Sequence, residues 1–234
     1  MRKFSSRLST LIDPVKRDNW LVIAQQSFAR AVALETLCQF CATRNAVDGI
    51  CSACEADLPW RMIPWNRHLP YVDDVFACFN FAYPVRQLIH RVKYGRDIAC
   101  AALLGRLAAT RLAVSNNVPN DAMIFPVPQT RRRMVRRGFN HAVEIALPIA
   151  LEFSLHIEVV SVYKRKSGPA QSTLNAANRR KNMQGSFDFH ERLKSNTAII
   201  VDDVITTGAT ASAMAHTLRL AGAKRVVVWT IAAA

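Results

Sequence analysis

The chain has 234 residues, half of them apolar and 21% charged, which excludes a wholly disordered protein and fits one ordinary domain with a small appendage. Lysine and arginine outnumber aspartate and glutamate by 31 to 17, and the net charge is +14. This excess favours phosphate-rich partners, either nucleic acid or a phosphorylated metabolite. A basic surface that only aids solubility is the alternative interpretation.

The N-terminus carries no convincing targeting segment. Its first residues are basic, but no apolar stretch precedes Asp13-Pro14, and this argues against a secretory signal. No uninterrupted apolar run approaches the roughly 18 to 20 residues that span a bilayer. We therefore expect a cytoplasmic protein without a membrane span. Residues 1–34 are an N-terminal extension of uncertain role.

Two C-x-x-C pairs, Cys38/Cys41 and Cys51/Cys54, predict a metal site. The intervening loop contains Gly49, and it lets the second turn fold back so that four thiolates meet one tetrahedral Zn²⁺. Four protein ligands leave the ion no open position, so its role would be structural. Reduced structural thiols are the alternative. We assign residues 35–70 to this zinc module and a linker rich in proline and tryptophan.

Beyond the linker, residues 71–234 alternate between strand-like and helix-like patterns. We predict strands at 75–81, 122–127, 157–163, 197–201 and 225–231, and helices at 84–94, 99–114, 141–153 and 209–221. A basic loop is expected between residues 127 and 141. This alternation predicts a mainly parallel α/β sheet with crossover helices.

The most informative segment is 199–210, in which a buried strand ends in Asp202-Asp203 and a Thr-Thr-Gly-x-Thr turn leads into a helix. Parallel sheets bind ligands at that edge. Backbone N–H groups and three hydroxyls at a helix N-terminus suit a phosphate monoester. The carboxylates must face something other than the anion, and sugar hydroxyls or hydrated Mg²⁺ are natural candidates. A simple threonine helix cap is the alternative.

This string resembles the phosphoribosyl pyrophosphate (PRPP) signature of type I phosphoribosyltransferases. The resemblance implies the parallel-sheet fold of that family and binding of PRPP with Mg²⁺. It assigns Asp202 and Asp203 as catalytic residues that face the ribose 2′- and 3′-hydroxyls. It assigns the cradle of the 5′-phosphate to Thr206, Thr207, Gly208, Ala209 and Thr210.

Further segments resemble ComF-type competence proteins, namely Pro126-Val127-Pro128, Arg136-Arg137-Gly138-Phe139-Asn140 and Val92-Lys93-Tyr94. With the four-cysteine module, this resemblance covers roughly residues 35–234. It implies uptake or utilisation of single-stranded DNA, with competence-machinery proteins as partners. The chain departs from the family pattern in two places. Gln129-Thr130 replaces the usual aliphatic–His pair, and His141 replaces the usual glutamine after Asn140.

Basic clusters fit a transferase that must stabilise a departing pyrophosphate. Arg136 and Arg137 are the first candidates for that contact, and Lys93 is a weaker one for phosphate. The segment 164–185 corresponds to a mobile loop that closes over substrate. We expect His90 and His141 to be helix-surface or capping residues.

The competing interpretation places single-stranded DNA on the same charges. Phe139 and Tyr163 would then offer faces for base stacking, with Trp60 and Trp65 beside the zinc module. Three functions therefore stay open from the sequence. They are a phosphoribosyltransferase of nucleotide metabolism with an unknown acceptor base, a DNA-handling protein, and a regulator that senses PRPP without chemistry.

Overall fold

The structure is a computed structural model, and it describes residues 37–44, 46–47, 49–115, 118–119, 121–159, 162–164, 187–189 and 192–234. The N-terminal extension, residues 1–34, lies outside the described residues, as do residues 35 and 36. So does most of the segment predicted to close over substrate, because residues 165–186 are not described.

Six helices and seven strands lie within the described residues. The helices are α1 Ser52–Ala56, α2 Val85–Tyr94, α3 Ile98–Ser115, α4 Arg131–Arg137, α5 His141–Phe153 and α6 Ala209–Leu220. The strands are β1 Asp74–Asn80, β2 Ala122–Pro126, β3 His156–Ile157, β4 Val162–Lys164, β5 Phe187–Phe189, β6 Thr197–Ile205 and β7 Arg225–Ala233.

Five of these strands form one parallel sheet in the order β1–β7–β6–β2–β3. The predicted fold class, a parallel α/β sheet preceded by a four-cysteine module, is therefore confirmed. The single strand expected at 157–163 is wrong, because the chain leaves β2 after the N–H of Glu158 donates to Ile124 O. Residues 162–164 then pair antiparallel with β5 in a separate ribbon.

The pleat of β6 divides the core into two layers. Ile199 and Val201 pack in the layer that contains α3 and α5, whereas Ala198 and Ile200 pack in the layer that contains α6. This alternation is the period-2 geometry of a strand that is covered on both faces. The strand runs to Ile205, four residues past the predicted end, so Asp202 and Asp203 lie within the pleat.

Helix α3 is the one described helix that is long and apolar enough to cross a membrane. Its leucines, including Leu103, Leu104 and Leu112, are buried in the protein core. The four-cysteine module contributes to the same core, because Ile50 and Leu58 belong to its buried cluster. Burial on the sheet therefore accounts for the apolar character of α3.

The segment after the module packs along the outer edge of β1. Trp60 forms an isolated bridge with Phe79, and their ring centroids lie 4.6 Å apart. The N–H of Arg61 donates to Cys78 O, and Pro59 O accepts from Asn80 N. This pairing covers the C-terminal half of an edge strand that would otherwise present unpaired backbone groups.

Candidate functional site

The four cysteines of the two C-x-x-C pairs converge. One sulfur from each of Cys38, Cys41, Cys51 and Cys54 lies within 4.8 Å of all the others, and all four thiols are free. The Sγ atoms of Cys41 and Cys51 are 3.7 Å apart. Tetrahedral zinc with bonds of about 2.3 Å places its sulfurs about 3.8 Å apart, so the cluster has the dimensions of a four-thiolate site.

Local backbone turns place these thiols. Ala42 N donates to Cys38 O at 2.8 Å, and Glu55 N donates to Cys51 O at 2.9 Å. Burial disfavours a thiolate at Cys38, but hydrogen bonds from neighbouring backbone N–H groups, including that of Cys41, outweigh it and lower the pKa of Cys38 to about 6. Burial and the adjacent sulfurs raise the pKa of Cys54. A divalent cation would remove this conflict by holding all four as thiolates.

The predicted phosphate loop connects β6 to α6. Gly208, with φ of 72°, caps the helix, and Thr207 Oγ1 accepts from Ala209 N at 3.4 Å. A small cavity of about 50 Å³ lies against the loop, lined by Asp202, Val204, Val228 and residues 205–211. The loop rests on Leu69, since a Cβ at position 208 would approach Leu69 Cδ2 to 2.3 Å.

The two aspartates are neighbours at the end of β6, and one oxygen of each lies within 4.8 Å of the other and of one His141 ring nitrogen. Asp202 lines the cavity at the phosphate loop. Asp203 is 4% exposed and faces the α5 layer, where its Oδ2 lies 2.7 Å from His141 Nε2 and 2.9 Å from Lys93 Nζ. Asp202 therefore borders the cavity at the loop, whereas Asp203 is held by Lys93 and His141.

His141 is buried at the start of α5, and the expectation of a helix-surface or capping residue is wrong for it. Gln129 Nε2 makes a short contact to His141 Nδ1, and Arg137 Nη1 lies 3.3 Å from the same nitrogen. Both neighbours are donors, so Nδ1 must accept and Nε2 carries the hydrogen that Asp203 receives. The two departures from the family pattern, Gln129 and His141, thus meet in one hydrogen-bond chain.

Asn140 fixes the end of this chain. Its Oδ1 accepts from Ala142 N at 3.1 Å and from Gln129 Nε2 at 3.2 Å, while Nδ2 donates to Val127 O at 3.1 Å. The first of these bonds caps α5 at its N-terminus. One amide therefore ties the end of β2, the Gln129 side chain and the helix that carries His141 to each other.

The pKa values of the aspartates diverge. Burial and the charge of Asp203 raise the pKa of Asp202 to about 6. For Asp203 burial opposes ionisation, but the His141 hydrogen bond and the Lys93 ammonium outweigh it and hold its pKa below the ordinary value. Asp203 is thus ionised, whereas Asp202 changes charge near neutral pH. Neighbouring carboxyl groups with different, shifted pKa values are typical of functional sites.

The basic segment before α5 is helical, and the loop expected there is wrong. Thr130 is extended, α4 follows over Arg131–Arg137, and Gly138 ends it with φ of 84°. Arg137 is 9% exposed, and its guanidinium packs over the Tyr94 ring at 5.9 Å and against His141. Phe139 is buried and offers no face for stacking. The side chains of Arg136 and Tyr163 lie outside the described part of the structure.

Curated relatives match most of the chain. DNA utilization protein YhgH of Shigella flexneri is 29% identical over 202 residues, 83% of this chain and 89% of that protein. Competence protein F of Haemophilus influenzae is 26% identical over 213 residues, 87% of this chain and 93% of that protein. No protein-family profile matches the chain.

Among solved structures, a purine phosphoribosyltransferase from Pyrococcus horikoshii is 17% identical with a TM-score of 0.30, and it covers 60% of this chain and 84% of that one. A TM-score this low supports no argument, so the fold class rests on the sheet topology. The fold and site define a parallel α/β protein with an appended four-cysteine module. The resemblance to competence proteins of the ComF type is confirmed by the relatives.

Proposed function

We propose that the protein binds PRPP with Mg²⁺ at the β6–α6 loop and acts in the cytoplasm in the uptake or utilisation of DNA. One observation carries the PRPP proposal. Asp202 and the Thr206–Thr210 loop line one cavity, with a carboxylate on one side and a helix N-terminus on the other. A sugar phosphate needs this pair of groups, because its phosphate seeks N–H donors and its hydroxyls seek an acceptor.

The loop supplies the phosphate contacts in this proposal. Thr206 and Thr207 are exposed, so their hydroxyls are free to meet a ligand. The first N–H groups of α6 have no partners inside the helix and would donate to phosphate oxygens together with the helix dipole. Arg137 and Arg136 lie on α4, and we assign them to the pyrophosphate end of the ligand.

Magnesium fits Asp202 better than Asp203. The Asp203 carboxylate is already held by Lys93 and His141, and an added cation would compete with both. Among the residues that the structure describes, the hydrogen bond found for Asp202 is the one its Oδ1 accepts from the backbone N–H of Asp203, at 2.9 Å. Mg²⁺ typically binds through phosphate oxygens, water and one or two carboxylates, and bound there it would neutralise charge on the pyrophosphate.

The DNA role is proposed from the relatives, whose names denote DNA utilization and competence. The net charge of +14 supports it, because cations release the counterions of a nucleic acid. Zinc at the four cysteines would serve a structural role. PRPP binding is compatible with two functions. One is transfer of ribose 5-phosphate to a nitrogenous base, and the other is PRPP sensing without turnover.

Calorimetric titration of PRPP with Mg²⁺ tests the proposal. We expect micromolar binding by the wild type and at least about 30-fold weaker binding by Asp202→Asn, because the hydroxyl acceptor loses its charge. Asp57→Asn makes the same change at an exposed carboxylate of α1's C-terminal cap and should bind like the wild type.

Two results would overturn PRPP binding at this site. One is the absence of any heat of binding in a folded, zinc-loaded wild type. The other is unchanged affinity in Asp202→Asn. If binding occurs, release of pyrophosphate on addition of individual bases distinguishes the transferase from the sensor. Binding to a single-stranded oligonucleotide, measured separately, tests the DNA role.

A further inference from the structure

A second and larger cleft lies away from the phosphate loop, with a volume of about 570 Å³. It opens where the segment 61–69 bends away from the N-terminal half of β1, and the end of α3 and the start of β7 complete its walls. This volume is within the range of small-molecule sites, roughly 300 to 1,000 Å³.

The walls of this cleft carry an excess of positive charge. Arg61, Arg67 and Arg111 line it, and none of the three has an ion-pair partner among the described residues. Its two carboxylates are already neutralised, since Asp73 pairs with Arg219 and Asp74 with Arg225, each at 2.6 Å. The unpaired arginines therefore set the local charge, and this favours an anion.

Aromatic rings accompany these arginines. The guanidinium of Arg67 lies 5.3 Å from the Trp65 ring centre, that of Arg61 lies 6.0 Å from the same ring, and that of Arg111 lies 5.9 Å from Trp60. Trp65 lines the cleft and is half-buried, so its ring keeps some exposed surface. Indole and guanidinium planes are the groups on which proteins stack nucleobases.

Two hydrogen-bond donors of the cleft walls have no acceptor among the described residues. Arg61 Nε and Trp65 Nε1 are buried and find no partner in the described part of the chain. An unsatisfied buried donor costs about 1 to 3 kcal/mol and calls for an explanation such as a bound group. Both orphans are donors, so a group that reaches them on binding would be an acceptor such as a phosphate or a base carbonyl oxygen.

We propose that this cleft binds a nucleotide unit, with the phosphate at the arginines and the base against Trp65. The unit is either one residue of a single-stranded DNA or a free nucleotide. If the unit belongs to single-stranded DNA, this inference rests on the proposed DNA role and assigns the cleft as a DNA-binding surface. The cleft is distinct from the phosphate loop but touches it, because Arg67 Nη1 lies 3.5 Å from Thr206 O.

The test compares two doubly substituted variants of equal charge. Arg61→Gln/Arg111→Gln removes two cations from the cleft, and Arg131→Gln/Arg132→Gln removes two from α4. Binding of fluorescein-labelled oligothymidylate is followed by anisotropy, and binding of thymidine monophosphate by calorimetry. We expect the cleft variant to weaken binding at least about tenfold and to lower the salt slope by between one and two, with a smaller effect of the α4 variant.

Trp65→Phe tests the orphan donor, because it keeps an aromatic ring but removes Nε1. We expect about three- to tenfold weaker binding, without loss of zinc or of thermal stability. Asp202→Asn should leave nucleotide binding unchanged, so failure of the PRPP proposal and failure of this one are distinguishable. PRPP affinity of the cleft variant should match the wild type.

Binding of the oligonucleotide alone identifies a strand as the ligand, and equal binding of the monophosphate per site identifies a free nucleotide. Either result supports the cleft if its variant weakens binding. The proposal is overturned if neither probe binds the zinc-loaded wild type. It is also overturned if the α4 variant loses affinity while the cleft variant keeps it.

Discussion

The four-cysteine cluster and the acidic pair both gather groups of one charge type, but they resolve the repulsion differently. The cysteines come from two short turns, and a bound divalent cation would hold all four as thiolates. The aspartates come from one strand, and the fold itself supplies Lys93 and His141 to Asp203. We therefore expect the first site to depend on a bound metal for its stability, whereas the fold itself stabilises Asp203 in the second.

The largest loss of stability is expected from substitution of the clustered cysteines. Cys38→Ser/Cys51→Ser removes two buried ligands that belong to the main core. We expect loss of zinc and destabilisation by about 5 kcal/mol or more, because structural zinc contributes directly to folding. Metal analysis of anaerobically purified protein and thermal unfolding measure both. Cys78→Ala lies outside the cluster and should keep its zinc, and a wild type with much less than one zinc per folded chain would refute the site.

The next largest effect is expected from removing the contacts of Asp203 with Lys93 and His141. Asp203→Asn leaves Lys93 without its carboxylate, and we expect a loss of about 3 kcal/mol in urea unfolding at pH 7. The pKa of Asp203 is lowered, so its stabilisation is present above the ordinary value and is lost as pH falls; the difference should shrink toward pH 3. Asp74→Asn breaks an exposed pair and should cost under about 0.5 kcal/mol. Equal losses of stability in Asp203→Asn and Asp74→Asn would show that the buried contacts of Asp203 stabilise the fold no more than an exposed ion pair does.

A pH comparison sharpens the contrast between the two aspartates. The pKa of Asp202 is raised to about 6, so the folded state holds this proton more tightly than the unfolded chain does. Its stabilisation is present below pH 4 and is lost as pH rises through 6. The free energy of unfolding of Asp202→Asn should therefore equal that of the wild type near pH 4. At pH 8 it should be larger by about 1 to 2 kcal/mol, because solvent screens part of the effect at the partly exposed Asp202. Urea unfolding measures both free energies, and a difference between the two proteins that does not change with pH would contradict a raised pKa at Asp202.

The smallest expected difference, about 1 kcal/mol, is between glycine substitutions in the loop next to Asp202 and at the end of α4. Gly208 and Gly138 both have positive φ, but only at Gly208 would a Cβ meet a neighbour, Leu69, within 4 Å. Replacement by alanine should cost about 1 kcal/mol at Gly138 from backbone strain alone, and about 2 kcal/mol at Gly208 because Leu69 must also shift. Calorimetric melting of the two variants measures the difference. A larger loss at Gly138 would mean that Leu69 does not support the loop.

The two sites also differ in how far the sequence predicts them. The cysteine cluster follows from spacing, because each pair lies within one turn and only one short loop separates them. The phosphate loop and most helices and strands are likewise local, and helix α2 begins after Pro84 and ends before Gly95 as predicted. The contact of Asp203 with His141 and Lys93 joins three distant segments, and no local pattern indicates it.

His141 shows why that prediction failed. Its position after Asn140 suggests a capping residue, but the burial of α5 on the sheet directs the side chain toward β6. The available signal was the joint departure of Gln129 and His141 from the family pattern, since two unusual residues often compensate each other across a contact. The length of β6 was also underestimated, because aspartates are poor strand formers and only pairing with β2 and β7 keeps them extended.

The strand order has a consequence for how the protein reaches its native state. Strand β7 inserts between β1 and β6, so the ion pair from Asp74 to Arg225 joins positions 151 residues apart. Until β7 arrives, β1 and β6 each expose an edge that a second chain can pair with. Closure of such long loops is slow, and we expect refolding yield to fall with protein concentration and to recover with a chaperone.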